Sequence, residues 1–308
     1  MEFRQVLSIE LLKLMAEDEK VVVLDADLGS PDGLGPVFKE YPKRAIQVGI
    51  AEANMTGIAA GFSAYGYQPV MVTFAPFATR RVFDQIAVSV AYAKQNVKIV
   101  GTDPGITAEL NGGTHMTFED IALMRSLPDM VVFDAVDDIQ LQAFLPSLLK
   151  QKGNVYIRTP RKNRPRVFDE NTTFEYGKAN VVKEGCDVTI IATGTMVYEA
   201  TLACEMLKEE GVSACVISAN FIKPLDNETI LKSIKNTKCA VVCENHNLKG
   251  GLFSAVTELV CKECPIPVEG VGINDEFGQV GKYNELLSYY KLTKEDIVSK
   301  VKEVLKRK

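Results

Sequence analysis

The chain alternates short β-branched and aliphatic runs with longer stretches in which apolar positions recur every three or four residues. Val21–Asp27, Val70–Phe74, Val97–Thr102, Val131–Asp134 and Val155–Arg158 predict strands. Between them, Ala51–Tyr65, Arg81–Lys94, Phe118–Ser126 and Ile139–Lys150 predict helices. The strands are apolar at consecutive positions, the pattern of a mainly parallel sheet covered on both faces. Residues 159–180 (TPRKNRPRVFDENTTFEYGKAN) carry prolines and charges without apolar period, which predicts a linker. The alternation then resumes, with strands at Val188–Ala192, Ala214–Ser218, Cys239–Cys243 and Val268–Val271. Helices are expected near Met196–Glu210, Asn227–Lys235, Phe253–Cys261 and Lys294–Lys306. The expected class is α/β, with two domains (1–160 and 181–308), each a mainly parallel sheet flanked by helices. A linker at 161–180 joins them, and 308 residues suffice for two cores of this kind.

Composition narrows the function. A net charge of −5 offers no basic field for nucleic acid. No apolar run reaches the roughly 18 residues of a membrane span. The N-terminal MEFRQVLSIELLKLMAEDEK has acidic residues inside its apolar pattern, so it reads as an amphipathic helix and not a signal peptide. A cytoplasmic protein is expected. The basic cluster Arg158–Arg166 reads for the most part as a solvated linker. All seven cysteines lie in the second half, including a Cys261–Cys264 C-x-x-C pair and Cys239 and Cys243 on one predicted strand. With His115 and His246 as the two histidines, no finger-type zinc spacing results, and reduced, mostly buried thiols are expected.

Loops that follow parallel strands are where ligands bind. The loop Gly105–His115 is long, carries Gly112 and Gly113, and ends on a histidine that could handle protons or simply cap a helix start. Glu52 lies among small residues in VGIAEANMTGIAAG. It is either a buried carboxylate with a task or an exposed first-turn glutamate favoured by the helix dipole. Phe74 and Phe77, three apart at a strand exit, could wall a flat ring or pack in the core. Ser30, in DADLGSPDGLG, belongs to a polar loop that could line a substrate site or form a turn. Thr193–Gly194–Thr195 reads equally as a weak anion site or an N-cap with a tight turn. His246, in CENHNLKGG, could face the same cleft or pin a loop, and the loop is the expected role.

Four segments in order resemble the second half of transketolases: VGIAEANMTGIAAGFSAYG, VTFAPFATRRVFDQI, GGTHMTFEDIALMRSLPDM and VGINDEFGQVGKYNELLSYYKLTKEDIVSKV. The resemblance runs from about Val21 to Val304. It implies a pyrimidine-binding domain followed by the family's C-terminal domain, with thiamine diphosphate as cofactor. By this resemblance Glu52 is the glutamate on N1′ of the aminopyrimidine, where a carboxyl group favours the imino form that activates the thiazolium carbon. Phe74 and Phe77 correspond to the aromatic pocket, His115 and Asn111 to substrate-hydroxyl contacts and Arg158 to a phosphate-binding arginine, while Ser30 is a substrate-binding candidate from its polar loop alone. Asn111-Gly-Gly-Thr-His replaces the family's usual D-G-P-T-H, Asp103 replaces a further histidine with a carboxylate that would repel phosphate, and Ala51 replaces the usual arginine before the glutamate.

The family's G-D-G motif for diphosphate and metal does not occur in the sequence, Pro31-Asp32-Gly33 being the nearest stretch. The resemblance therefore implies the smaller subunit of a split transketolase. An N-terminal partner would bring diphosphate and Mg2+ (or Ca2+) binding, in an α2β2 assembly acting on sugar phosphates. A beta-type subunit of a 2-oxo acid dehydrogenase, a 1-deoxyxylulose-5-phosphate synthase-like chain and a non-catalytic subunit are the alternative readings.

Overall fold

The N-terminal pattern folds as expected into helix α1 (Phe3–Glu17), which buries Phe3, Val6, Leu7, Leu11, Leu14 and Met15. The computed structural model describes residues 1–308. In the first half, β1 (Val21–Asp25), β2 (Ala45–Gln47), β3 (Gln68–Phe74), β4 (Lys98–Thr102), β5 (Val131–Asp134) and β6 (Val155–Thr159) pair in parallel. Their helices include α2 (Gly35–Glu40) and α3 (Glu52–Ala64). In the second half the strands are β7 (Asn180–Lys183), β8 (Val188–Ala192), β9 (Ala214–Ser218), β10 (Phe221–Lys223), β11 (Ala240–Asn247) and β12 (Val268–Ile273). The second sheet runs β12-β11-β8-β9-β7 and is parallel except for β7. Every residue of β1, β4, β5, β6, β8 and β9 is buried, which is why apolar residues occupy both faces of these strands without alternation, polar ones falling mainly at the ends.

Two features depart from the expected organisation. The first sheet runs β10-β5-β6-β4-β3-β1-β2, so β10 leaves the second half of the chain and pairs antiparallel with β5. Phe221 of β10 packs edge-on against Phe133 and Phe144, with centroids 5.2 and 5.1 Å apart. The basic connector is solvated at Lys162, Asn163, Pro165 and Arg166, as expected, but it is not a free linker. Arg161 donates to Asp103, Arg164 to Glu109 and Arg166 to Asp138, while the backbone N–H groups of Val167 and Phe168 both donate to Asp137 at 2.8 Å. Prolines and charges without apolar period suit solvent, yet each of these arginines meets a carboxylate fixed on the first domain.

The expected role of Arg158 is also corrected, because it is 1% exposed and cannot present its guanidinium to a phosphate. It donates to Asp120 at 2.7 Å, to Asp134 at 3.2 Å and to the carbonyl of Asn245 on β11 at 2.6 Å. Tyr156 adds a hydrogen bond to Asp120, and Thr193 of the second domain donates to Asp134 at 3.3 Å. Gly194 of the T-G-T loop is tied to this cluster: it has φ +55°, and a Cβ there would lie 2.4 Å from an Asp134 oxygen. His246 is also fully buried beside it. Its Nδ1 lies 2.7 Å from its neighbour's carbonyl and its Nε2 accepts from the Ala122 N–H, so the ring joins β11 to the helix Asp120–Ser126 of the first domain. Glu244 accepts the N–H groups of Leu252 and Phe253 at a helix start.

Breaking a buried ion cluster by removing one partner costs roughly 3–5 kcal/mol, because charges are left uncompensated. Arg158→Met is expected to lose about that much in chemical denaturation, with the domains separating before they unfold. The cluster also carries a pH signature. Burial pushes Glu244 from 4.5 up to about 7, so the folded chain keeps a proton that the unfolded chain releases, and this contribution to stability falls as pH rises through that window. Burial pushes His246 from 6.5 down to about 4, with the opposite slope. Glu244→Gln removes the falling contribution of this residue and leaves that of His246 in place. Between about pH 5 and 6.5 its stability should climb more steeply than that of the parent chain, by up to ~1.4 kcal/mol per pH unit in urea titrations.

Candidate active site

The C-terminal ends of β1, β3 and β4 and the start of α3 converge on one cluster. Phe74 ends β3, and the following short helix Ala75–Ala78 carries Phe77 one turn onward. The two rings stack with centroids 6.0 Å apart and planes 20° from parallel. The His115 ring stands edge-on to both, at 6.1 Å from Phe74 and 5.2 Å from Phe77. Glu52 is the first residue of α3 and is 3% exposed, so it is not the solvent-facing glutamate that the sequence also allowed. A carboxylate at a helix N-terminus is favoured by the unpaired N–H groups there.

Two arginines outside the residues singled out by the sequence complete the cluster. Arg81 donates to Glu52 Oε1 at 2.6 Å, and its guanidinium carbon lies 3.7 Å from the Phe77 ring centre. Arg161 donates to Asp103 Oδ2 at 2.6 Å and lies 4.4 Å over Phe74. Each stacked ring thus carries one guanidinium held by a buried carboxylate. The expected helix Arg81–Lys94 is helical but irregular, and Arg81 lies in its first turn. A 3-10 turn (Arg80–Val82), one α-turn (Phe83–Gln85) and a π-helix (Ile86–Tyr92) make it up, after Thr79 at φ −129°, ψ −90°. The doubled arginine in ATRRV is the available signal in the sequence. For Arg161 the signal is hidden in a segment whose composition suits solvent.

Asp103 is not a free charge. Burial raises its pKa, and the guanidinium and backbone N–H of Arg161 oppose that shift. Deeper in the loop after β1, burial lifts Asp32 from 3.8 to about 7. Thr102 donates to one of its oxygens at 2.8 Å, and the other has no partner.

The second domain fixes the loop that carries His115. The Asn245 side chain accepts from the Ile106 N–H and donates to the Pro104 carbonyl. Gly105 has φ +58°, and a Cβ there would lie 2.3 Å from Asn245 Oδ1. Gly113 lies against the Gly278 carbonyl, where a Cβ would come to 2.4 Å. Glycine at 105 and 113 is therefore a requirement of close approach. Asn111 is exposed at the tip of this loop. Ser30 is exposed in an open pocket with Asp27, Gly29 and Gly33. The structure brings together Glu52, Phe74, Phe77 and His115. It leaves Ser30 and Asn111 on flanking loops and buries Arg158 in the domain junction. All seven cysteines are free, with Cys204, Cys215, Cys239 and Cys243 buried and Cys186 and Cys261 exposed.

Residues 1–166 match the transketolase pyrimidine binding domain, and residues 177–297 match the transketolase C-terminal domain. The chain belongs to the transketolase family. It is 47% identical to the 6-deoxy-6-sulfo-D-fructose transketolase subunit of Clostridium sp. (strain MSTE9), covering 97% of this chain and 92% of that protein. One subunit of the apulose-4-phosphate transketolase of Phocaeicola vulgatus is 36% identical over 96% of this chain and 95% of its own length. The 1-deoxy-D-xylulose-5-phosphate synthase of Heliobacterium modesticaldum is 34% identical, with 98% of this chain spanning 47% of that enzyme. Among solved structures, a split-gene transketolase described as an inactive beta4 tetramer superposes with a TM-score of 0.92 at 42% identity, over 100% of this chain and 99% of that one. This transketolase chain thus has the length and fold of subunits from split enzymes. No helix in it is long and apolar enough to cross a membrane.

Proposed function

We propose that this chain is the pyrimidine-binding half of a split transketolase and moves a two-carbon ketol unit from a ketose to an aldose together with a partner chain. The observation that carries the reading is Glu52, buried at the start of α3 beside the stacked Phe74–Phe77 pair and His115. The residues fit the aminopyrimidine of thiamine diphosphate: a planar N–H donor, the Arg81 guanidinium, already lies on Phe77 with a hydrogen bond to Glu52. Bound thiamine diphosphate supplies a nucleophilic carbon and an electron sink for the two-carbon unit. Glu52 holds the ring nitrogen and exchanges a proton with it, Phe74 and Phe77 fix the plane of the ring, and His115 takes and returns substrate hydroxyl protons. Diphosphate and Mg2+ (or Ca2+) are assigned to the partner.

Substrate contacts come from loops at the same ends of the strands, with Ser30 after β1 and Asn111 after β4 as hydroxyl partners. Arg161, not Arg158, is assigned to an anionic substrate terminus, because its guanidinium lies at the aromatic pair and its side chain keeps 13% exposure. Two of the relatives are named for a sulfonated and a phosphorylated sugar, both anionic. A partner is supported by the outer face of α3, where Ala53, Gly57 and Gly61 are exposed between Ile50 (76% exposed) and Tyr65 (87% exposed). Side chains added at Gly57 or Gly61 would meet nothing within 4 Å, so small residues here suit the close approach of another chain. Self-association within an α2β2 assembly follows the same reasoning. The similarity to 1-deoxy-D-xylulose-5-phosphate synthases keeps a second reading, decarboxylation of a 2-oxo acid at the same site.

The test reconstitutes the chain with its partner and compares ketol transfer with pyruvate decarboxylation. Ketol transfer is expected to dominate. Glu52→Gln should lower it about 100-fold or more with an unchanged unfolding midpoint, and near-parental turnover would remove Glu52 from its role. Arg161→Met should raise KM for a phosphorylated or sulfonated acceptor about 10- to 100-fold while leaving an uncharged aldose within a few fold. Equal effects on both acceptors would reassign the anion contact.

A further inference from the structure

Arg81 makes two contacts that a bound pyrimidine would also need. It donates to Glu52 Oε1 at 2.6 Å and lies 3.7 Å over Phe77. The Phe77 ring is also stacked with Phe74 and met edge-on by His115, so the guanidinium covers what remains open of it. A second planar group cannot lie on that same surface and donate to that same oxygen while the guanidinium stays. We infer that Arg81 is a displaceable occupant of the ring slot, and that the pyrimidine of thiamine diphosphate enters as the arginine leaves both Glu52 and Phe77. This rests on the cofactor assignment above and adds a residue that sets the affinity for it.

The surroundings of Arg81 suit an exchange. Its side chain is 43% exposed while that of Glu52 is 4% exposed, so the arginine has a route to water and the carboxylate stays in place. Its backbone lies in a three-residue 3-10 turn outside any regular α-helix. Its neighbour Arg80 is committed elsewhere, to Glu119 and the Thr114 carbonyl, and does not share the Glu52 pair. In the chain without cofactor, Arg81 keeps a buried carboxylate paired and an aromatic face covered. Both contacts must then be given up on binding, which lowers apparent affinity by the fraction of chains in the open state.

The experiment measures thiamine diphosphate binding by calorimetry in the complex with the partner chain and magnesium, without substrate. Arg81→Ala is expected to tighten Kd about fivefold or more, and Arg81→Lys, which keeps the pair but loses the planar stack, to fall between it and the parent. An unchanged or weaker Kd for Arg81→Ala, with an unaltered unfolding midpoint, overturns the inference. The parent complex gives a second readout that needs no substitution. Phenylglyoxal labelling of Arg81, mapped by mass spectrometry, should rise when cofactor is added, and protection or no change overturns the inference. If the parent complex takes up no thiamine diphosphate, the cofactor assignment itself falls. Uptake without a gain for Arg81→Ala or in labelling removes only the role of Arg81.

Discussion

A guanidinium with no access to water must have its charge and its N–H groups met by protein, and Arg158 meets this demand by drawing on both halves of the chain. Asp120 and Asp134 supply charge from the first domain, and the Asn245 carbonyl supplies an acceptor from the second. Asn245 also grips the backbone at Pro104 and Ile106, where the His115 loop begins. The position of His115 over the phenyl pair is therefore tied to the charge balance of the domain junction. Neutralising partners inside a protein rarely add net stability over an apolar core, but removing one of them leaves buried charge uncompensated. Here that charge sits where contacts from both domains and the start of the His115 loop meet.

The site above this junction collects cationic groups on aromatic faces, each balanced by a buried acid. Arg81 with Glu52 and Arg161 with Asp103 form two such units over Phe77 and Phe74. Such a surface suits a flat ring on one side and an anionic, hydroxylated substrate on the other. It lies at the carboxyl ends of parallel strands, where loops are free to vary over a fixed scaffold.

Much of the scaffold is legible in periodicity. Fully buried strands such as Val131–Asp134 and Val188–Ala192 are mostly β-branched and aliphatic without alternation, a pattern that admits few other readings. β10 cannot be read this way, because three residues hold no period and the pairing depends on the first domain's edge being nearby. The polar end of the site is harder still. The same arginine-rich stretch suits solvent or a set of fixed carboxylates, and the carboxylates Asp103, Glu109 and Asp138 lie far from it in sequence. Arg158 shows the limit of transferring a role by sequence position, since Arg161, three residues on, is the arginine that reaches the aromatic pair. Glu52 needs its neighbours in space to distinguish a buried acid from an exposed one.

The strand lent by the second domain has a further consequence for how chains meet. The first sheet ends in β10 on one side and β2 on the other, each three residues long. Edges this short offer few unpaired backbone groups to another molecule, which guards against uncontrolled strand-to-strand stacking. At these two edges, contact with other molecules is left to side-chain surfaces. The first sheet thereby discourages fibre-like growth.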